Sequence, residues 1–528
     1  MKYLLKYYYV LWAGFLTLGI YLGKRFVLSL NINLLLILSI IILSSISILI
    51  FSKRVSAPNN IQFTIIISMF IFALLGYISS SIYYNNQNNN MFKKLNNSYA
   101  SVEGRIANYP KFKGNIQYFE LKTFKTAVNT ENIDSNNYFK TSDVLEVWLK
   151  TDYQHLFKRD DFIGISGDLT IKNDEPILIS KSFNTKKIQE VSYLWRIFDL
   201  RSRIYRCLRN VYYTNLDFDY ASISEALILG NTTNIRDYII KNFKNSGVYH
   251  LLAISGLHVS FFIYLVIACF KRLICGNIGN TAHLKNTTHL KKALLFFLVF
   301  TFLFIYNFII GQRASALRAT IMAVFVNLAI AFNREYSSKI VLCFAYIFML
   351  LFMPSFFNDA GFWLSFASMA GIVFVNSVII NFLKKIILKF KKNKKNNFKI
   401  ENNSIVKIII ITFSINIFIF PIMAFLFGSF STVSIISNIL IIPVFYLLLL
   451  ILIISSISGL MWPPVGGIFI KSSAFLFFYI LKITELLGGS KFSVMRFEQF
   501  TKSYILIYYF VLFILLFLMN RYAENKNR

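Results

Sequence analysis

Long apolar runs dominate both ends of the chain, and a stretch of different rhythm separates them. Windows of about twenty apolar residues, enough to cross a bilayer core, open at residues 3–23, 26–51 and 61–83. Hydrophobicity resumes near residue 251 with further windows at 251–270, 293–310, 316–332, 340–357, 361–383, 405–427, 432–460, 468–487 and 504–519. The pattern predicts an α-helical multi-pass membrane protein of about twelve spans. Between the two blocks, apolar and polar residues alternate at 102–106, 116–124, 144–149, 162–171 and 177–180, with turn residues such as Tyr109-Pro110 and Asn173-Asp174 among them. That period of two predicts a small OB-like β-barrel domain over 92–185, inserted after the third span. Barrels of this type bind single strands by stacking bases on aromatics, and Tyr109, Phe112, Tyr118, Phe119 and Trp148 are available, although aromatic strand residues are more often core.

Residues 191–213 interleave Leu194, Trp195, Phe198, Ile204 and Tyr205 with Arg196, Arg201, Arg203, Arg206 and Arg209. This is a basic amphipathic helix whose default place is the headgroup layer, with guidance of a polyanion as the second reading.

The formal net charge of +31 changes the picture through its placement. Lys2 and Lys6 precede the first run, which lacks a small-residue cleavage site and reads as a retained anchor. An inside N-terminus puts the basic segments 271–292, 334–339, 384–399 and 521–528 on the cytoplasmic side, while the facing loops 353–360 and 428–431 contain no Lys or Arg. Both termini are therefore expected in the cytoplasm, the barrel outside it, and the cluster around Lys384 and Lys385 against lipid.

Chemistry-bearing residues inside apolar runs are costly and mark candidate sites. His250 and His258 flank Ser255-Gly256, a pair that loosens a helix and permits close backbone approach. Arg313 can snorkel to the interface, whereas Arg318 must pair or face water. Asp359 is either its partner or the N-cap of the following helix. Pro421 and Pro443, the latter shortly after Asn438, free backbone carbonyls and suggest broken helices lining a polar path, with simple kinks as the alternative. No cofactor or metal is expected. The four cysteines are scattered, the histidines of the 250–258 segment would stand about two helical turns apart, and no Walker A sequence occurs.

Five separated segments then carry a resemblance: Ala226-Leu-Ile-Leu-Gly230, the segment 247–259, Leu317-Arg-Ala-Thr-Ile-Met322, Pro354 with Gly361-Phe-Trp-Leu-Ser-Phe366, and Ser437-Asn-Ile-Leu-Ile-Ile-Pro443. In this order they resemble the ComEC family of competence proteins. The resemblance implies a competence membrane domain over 222–520, preceded by membrane segments (1–84), the β domain, amphipathic helices and linker (190–249), and followed by a tail (521–528). It further implies an inner-membrane channel that passes one strand of DNA into the cytoplasm during natural transformation. A DNA receptor, a cytoplasmic motor and membrane lipid would be its partners, and oligomerisation would be open to it. His250, Ser255, Gly256, His258, Arg313, Arg318, Asp359, Asn438 and Pro443 become the path candidates. Many family members carry a metallo-β-lactamase-like nuclease domain; no His-x-His-x-Asp-His sequence occurs in this chain, so it is not expected to be an enzyme. A permease for a small solute or nucleic-acid fragment, and a membrane-embedded enzyme using the histidines, are the competing readings.

Overall fold

The computed structural model describes residues 8–25, 58–88, 92, 98–113, 116–128, 139–140, 144–150, 157, 159–172, 175–181, 185–187, 193–275, 289–311, 314–331, 337–390, 404–498 and 500–524. The expected span 26–51 lies outside them. The first two helices, α1 (Tyr8–Arg25) and α2 (Pro58–Asn88), approach closely because Gly19, Gly23 and Gly76 leave no side chain at their contact. Hydrogen bonds Trp12 Nε1 to Ser68 Oγ (2.7 Å) and Ser80 Oγ to the Ile20 carbonyl (2.9 Å) tie the pair.

The period-two segment folds as expected into strands β1 (Tyr99–Ile106), β2 (Lys111–Lys113), β3 (Ile116–Val128), β4 (Phe139–Lys140), β5 (Val144–Lys150), β6 (Phe162–Lys172), β7 (Glu175–Lys181) and β8 (Thr185–Lys187). Five of them close a barrel in the order β1-β3-β5-β7-β6, with β6 returning to β1. The β5–β7 pair is parallel and the other four are antiparallel. Inward positions Val102, Phe119, Leu121, Val147, Ile163 and Leu178 fill the barrel, which is why these residues alternate with polar ones.

The amphipathic segment forms α3 (Tyr193–Asn215), followed by α4 (Phe218–Leu229), α5 (Asp237–Asn245) and the single turn α6 (Tyr249–Leu252). The second helical block comprises α7 (Gly256–Cys275), α8 (His289–Ile310), α9 (Ala314–Ala331) and α10 (Ser338–Phe352). Next come α11 (Ala360–Ala370) and α12 (Asn376–Phe390), joined through a π turn at Gly371–Val375, then α13 (Ser404–Phe427). The last helices are α14 (Ser434–Met461), α15 (Pro463–Lys471), α16 (Ala474–Gly488) and α17 (Lys502–Glu524). A two-stranded clasp, β9 (Ser429–Ser431) with β10 (Val494–Arg496), has no counterpart among the expected elements.

Two expectations, on residues 468–487 and on the prolines, are corrected. Among the described residues six helices are long and apolar enough to cross a membrane, or seven with one bent pair, against about twelve spans expected over the whole chain, of which 26–51 lies outside the described residues. Shorter apolar stretches are Gly256–Ala268, Ser315–Ala329 and Ser338–Phe352, within α7, α9 and α10; breaks at 253–255 and at 353 interrupt the apolar runs to which α7 and α10 belong. The expected straight span 468–487 is instead α15 and α16, bent by 44°. Pro421 and Pro443 do not break α13 or α14, which run continuously through them.

One large core unites α3 to α8 with α14, α15 and α16; Tyr212, Leu227, Phe243, Leu252 and Leu449 are among its buried members. Close approach in this block again relies on absent side chains: a Cβ on Gly466 would fall 2.5 Å from Gly459 Cα.

Candidate functional site

The first of three polar centres lies where the apolar run starting at residue 251 is interrupted. Helix α6 stops at Leu252, residues 253–255 are non-helical, and α7 begins at Gly256. The Ser-Gly pair therefore separates two helices, which overturns the view of His250 and His258 as residues two turns apart on one axis. His250 is exposed. Gly247 is at φ 77°, and a Cβ there would fall 2.5 Å from Ser434 Cβ, so both conformation and space demand glycine.

His258 is fully buried, with its ring edge-on to Phe445 (5.4 Å). The Ser255 amide donates to His258 Nδ1 at 3.1 Å, which places the ring proton on Nε2, and Nε2 has no partner among the described residues. From the opposite side Ser315 Oγ donates to the Ile254 carbonyl (2.5 Å), fastening α9 to the interruption.

Arg318, one turn further along α9, is only 5% exposed, although its guanidinium sits beside Gly256. Its Nη1 is 3.9 Å from Met322 Sδ, its Cζ is 5.9 Å from the Phe366 ring centroid, and Nε is unpartnered among the described residues. The conceivable pair with Asp359 is not formed. Asp359 caps α11 instead, its Oδ1 accepting from the Gly361 amide at 2.8 Å. Asn438, on α14, is buried with its Oδ1 likewise unpartnered, and Pro443 stands further along the same helix. Arg313 lies outside the described residues, as does the side chain of Phe112.

Two further centres were not legible from motifs. Glu225, on α4, is fully buried. Tyr205 Oη donates to its Oε1, as does Asn231 Nδ2 (2.7 Å), while Tyr213 Oη (2.8 Å) and Asn234 Nδ2 (2.9 Å) donate to Oε2. Burial, and next the charge of Glu225, push both phenols well above their ordinary range, so they remain protonated donors. A single charged residue, Glu225, within the otherwise uncharged run from Ala221 to Gly230 was the available signal.

The third centre joins the barrel to the helices. Asp160 accepts from Arg105 (Nη1, 2.5 Å) of β1 and pairs with Arg201 (Nε, 3.2 Å) of α3. Burial pushes its carboxyl above the usual range, against the pull of Arg159 and Arg105. Arg105 stacks over Phe198 (3.8 Å), and Arg159 lies over Tyr109 (4.6 Å) while donating to the Ile310 carbonyl at the end of α8 (3.2 Å). Tyr109 Oη donates to the Leu229 carbonyl at 3.1 Å, so this aromatic docks the barrel, and Phe119 is core. Tyr118 and Trp148 pair across strands and keep partial exposure. Of the arginines on α3, Arg201 is thus buried in the junction, whereas Arg203 remains exposed beside Asp199 (2.8 Å). The helix packs on protein through Leu208, Val211 and Tyr212.

Fold and site together define a multi-pass membrane protein whose helical block encloses buried polar groups at a helix interruption and carries a barrel on one face. A family model described as Competence protein matches residues 227–522, and the chain belongs to that family. This bears out the resemblance carried by the five segments. ComE operon protein 3 of Bacillus subtilis (strain 168) is 26% identical over 268 residues, which is 50% of this chain and 29% of that protein. An uncharacterized protein of Aquifex aeolicus (strain VF5) is 29% identical over 155 residues, 29% of this chain and 33% of its own length. The chain therefore spans about a third of the length of these curated relatives. No solved structure matches it.

Proposed function

We propose that the chain is the inner-membrane passage through which one strand of incoming DNA reaches the cytoplasm during natural transformation. Membership of the competence family sets the context. The observation that carries the reading is Arg318: a cation buried among apolar helices, without a carboxylate partner among the described residues, beside the interruption at 253–255. An intramembrane cation of this kind is costly unless it meets an anion or water on a transport path.

In this reading His250, Ser255, Gly256, His258, Arg313, Arg318 and Asn438 belong to the path, Pro443 shapes α14, and Asp359 supports α11. The barrel is an OB-like domain on the outer face, its strand order and its Tyr118–Trp148 pair being compatible with single-strand contact. Both chain ends lie in the cytoplasm. A DNA receptor outside and a motor inside are its partners, the latter supplying energy.

Complementation of a deletion strain tests the reading, with labelled DNA counted in the cytoplasm and protein quantified in the membrane fraction. Arg318→Ala, and the double substitution Ser255→Leu with Gly256→Leu, are expected to accumulate yet abolish DNA entry. Wild-type entry in either variant would overturn the passage, and loss of a small solute's entry instead would make the chain a permease.

A further inference from the structure

The start of α7 has an unusual electrostatic arrangement. The first-turn amides of Gly256, Leu257 and His258 have no acceptor among the described residues. Ser255 is in the N-cap position, where a serine oxygen ordinarily accepts from such an amide. Here its Oγ lies 3.1 Å from His258 Nδ1, and the same nitrogen accepts from the Ser255 amide. Only the returning half of a capping box is made, with histidine in place of the usual Glu or Gln.

A helix start with free amides carries partial positive charge and is a ready anion site. A second cation meets it. Arg318 Nη2 lies 3.4 Å from the point where a Cβ on Gly256 would stand, so the missing side chain leaves contact distance between the guanidinium and the helix start. Arg318 is 95% buried by its residual exposure of 5%, and its Nε is unpartnered. Two positive groups so close together at low polarity repel unless an anion is shared between them. The spot is reachable: Ala253 is exposed, and Ser255 and Gly256 are half-buried.

We infer that the α7 amides and Arg318 form a phosphodiester-binding site, occupied by one backbone phosphate of a nucleic-acid strand. The geometry suits a tetrahedral anion, since backbone N–H groups and a guanidinium offer several donors to its oxygens. A Cβ at Gly256 would make only ordinary contact with Arg318 Nη2, so alanine fits there, whereas a longer side chain would enter the space beside the guanidinium. This inference rests on the passage reading for the identity of the ligand, but the anion site itself is measurable without transport.

The test uses the full chain in nanodiscs of neutral phosphatidylcholine, with a fluorescent oligothymidylate as probe. Binding is expected to be lost when the probe's backbone is the uncharged methylphosphonate, a comparison that needs no variant. Arg318→Gln should weaken binding at least about tenfold, the equivalent of one charge-assisted hydrogen bond, and Arg318→Lys should recover part of it. The slope of log affinity against log salt should fall by about 0.7 in Arg318→Gln, the value for one phosphate contact on a single strand. Equal affinity for both backbones, or an unchanged slope in Arg318→Gln, would overturn the site. So would loss of oligonucleotide binding to the wild type on adding phosphatidylglycerol at constant ionic strength, which would identify a lipid headgroup as the occupant. Failed DNA entry with intact phosphate-dependent binding would refute the passage and leave the site standing.

Discussion

Asp160→Ala is expected to release the β-barrel from the helical block. The carboxylate lies between Arg105 and Arg201, whose side chains are 13% and 6% exposed, at 2.5 and 3.2 Å. Removing it leaves two guanidinium groups buried without their counter-charge, at a cost of about 3–5 kcal/mol. The loss should appear locally, because the barrel has its own apolar core and the helices have theirs. Hydrogen exchange in the membrane-embedded protein should therefore accelerate in β1, β6 and the first half of α3, while α14 keeps its protection. Adding Arg201→Met to Asp160→Ala should restore part of the docking, since one stranded charge is then gone and an apolar stem remains near Phe308. Unchanged exchange in the single variant would show that the aromatic contacts alone hold the barrel.

Glu225→Ala is the second large effect, and it should act on folding as a whole. Four buried or half-buried donors, from Tyr205, Tyr213, Asn231 and Asn234, converge on this carboxylate. Without it they face a cavity in low-polarity surroundings, with an expected loss of upwards of about 3 kcal/mol. Steady-state abundance in the membrane and thermal unfolding in detergent should both fall. Glu225→Gln preserves volume but turns an NH2 group toward two of the donors, so it should fall between wild type and Glu225→Ala. Equal stability of all three would mean that the network forms only after the helices have packed and contributes nothing to holding them.

What the sequence made legible follows from the range of the forces involved. Strand alternation is local, and the five predicted segments coincide with the five strands of the barrel. Helical apolar runs are local as well, and residues 293–310 and 405–427 match α8 and nearly all of α13. Helix ends inside an apolar run are less legible: α7 starts only after the break at 253–255, where Ser255 and His258 bond to one another across three residues. Arg201 read as one of several surface arginines because its partner Asp160 lies on a different domain, and no periodicity connects them. Glu225 is the same case, its acceptor role set by Asn231 and Asn234 in the following loop and by phenols one helix earlier. Arg318 was legible as unusual from its apolar neighbours, but its proximity to Gly256 required α7 and α9 to be placed side by side. Pro421 and Pro443 misled because a proline removes one donor and strains one turn, which a long apolar helix held by its neighbours absorbs.

The π turn at Gly371–Val375 determines which neighbour the basic end of α12 meets. There the Asn376 amide bonds to the Gly371 carbonyl, five residues back instead of four, so this turn contains one residue more than an α-helical turn. Each residue of an α-helix advances the angular position by about 100°, and the surplus residue offsets every side chain after it by that amount. With the offset, Lys385 lies over the Tyr522 ring, 4.4 Å from its centroid, and donates to the Tyr522 carbonyl of α17. Closing this turn to α geometry without a deletion would turn Lys385 away from α17 by more than a quarter of a circle, whereas deleting one residue of Gly371–Val375 together with the bulge would leave it in place, so the phase of the helix, and not its length alone, fastens the last helix to the bundle.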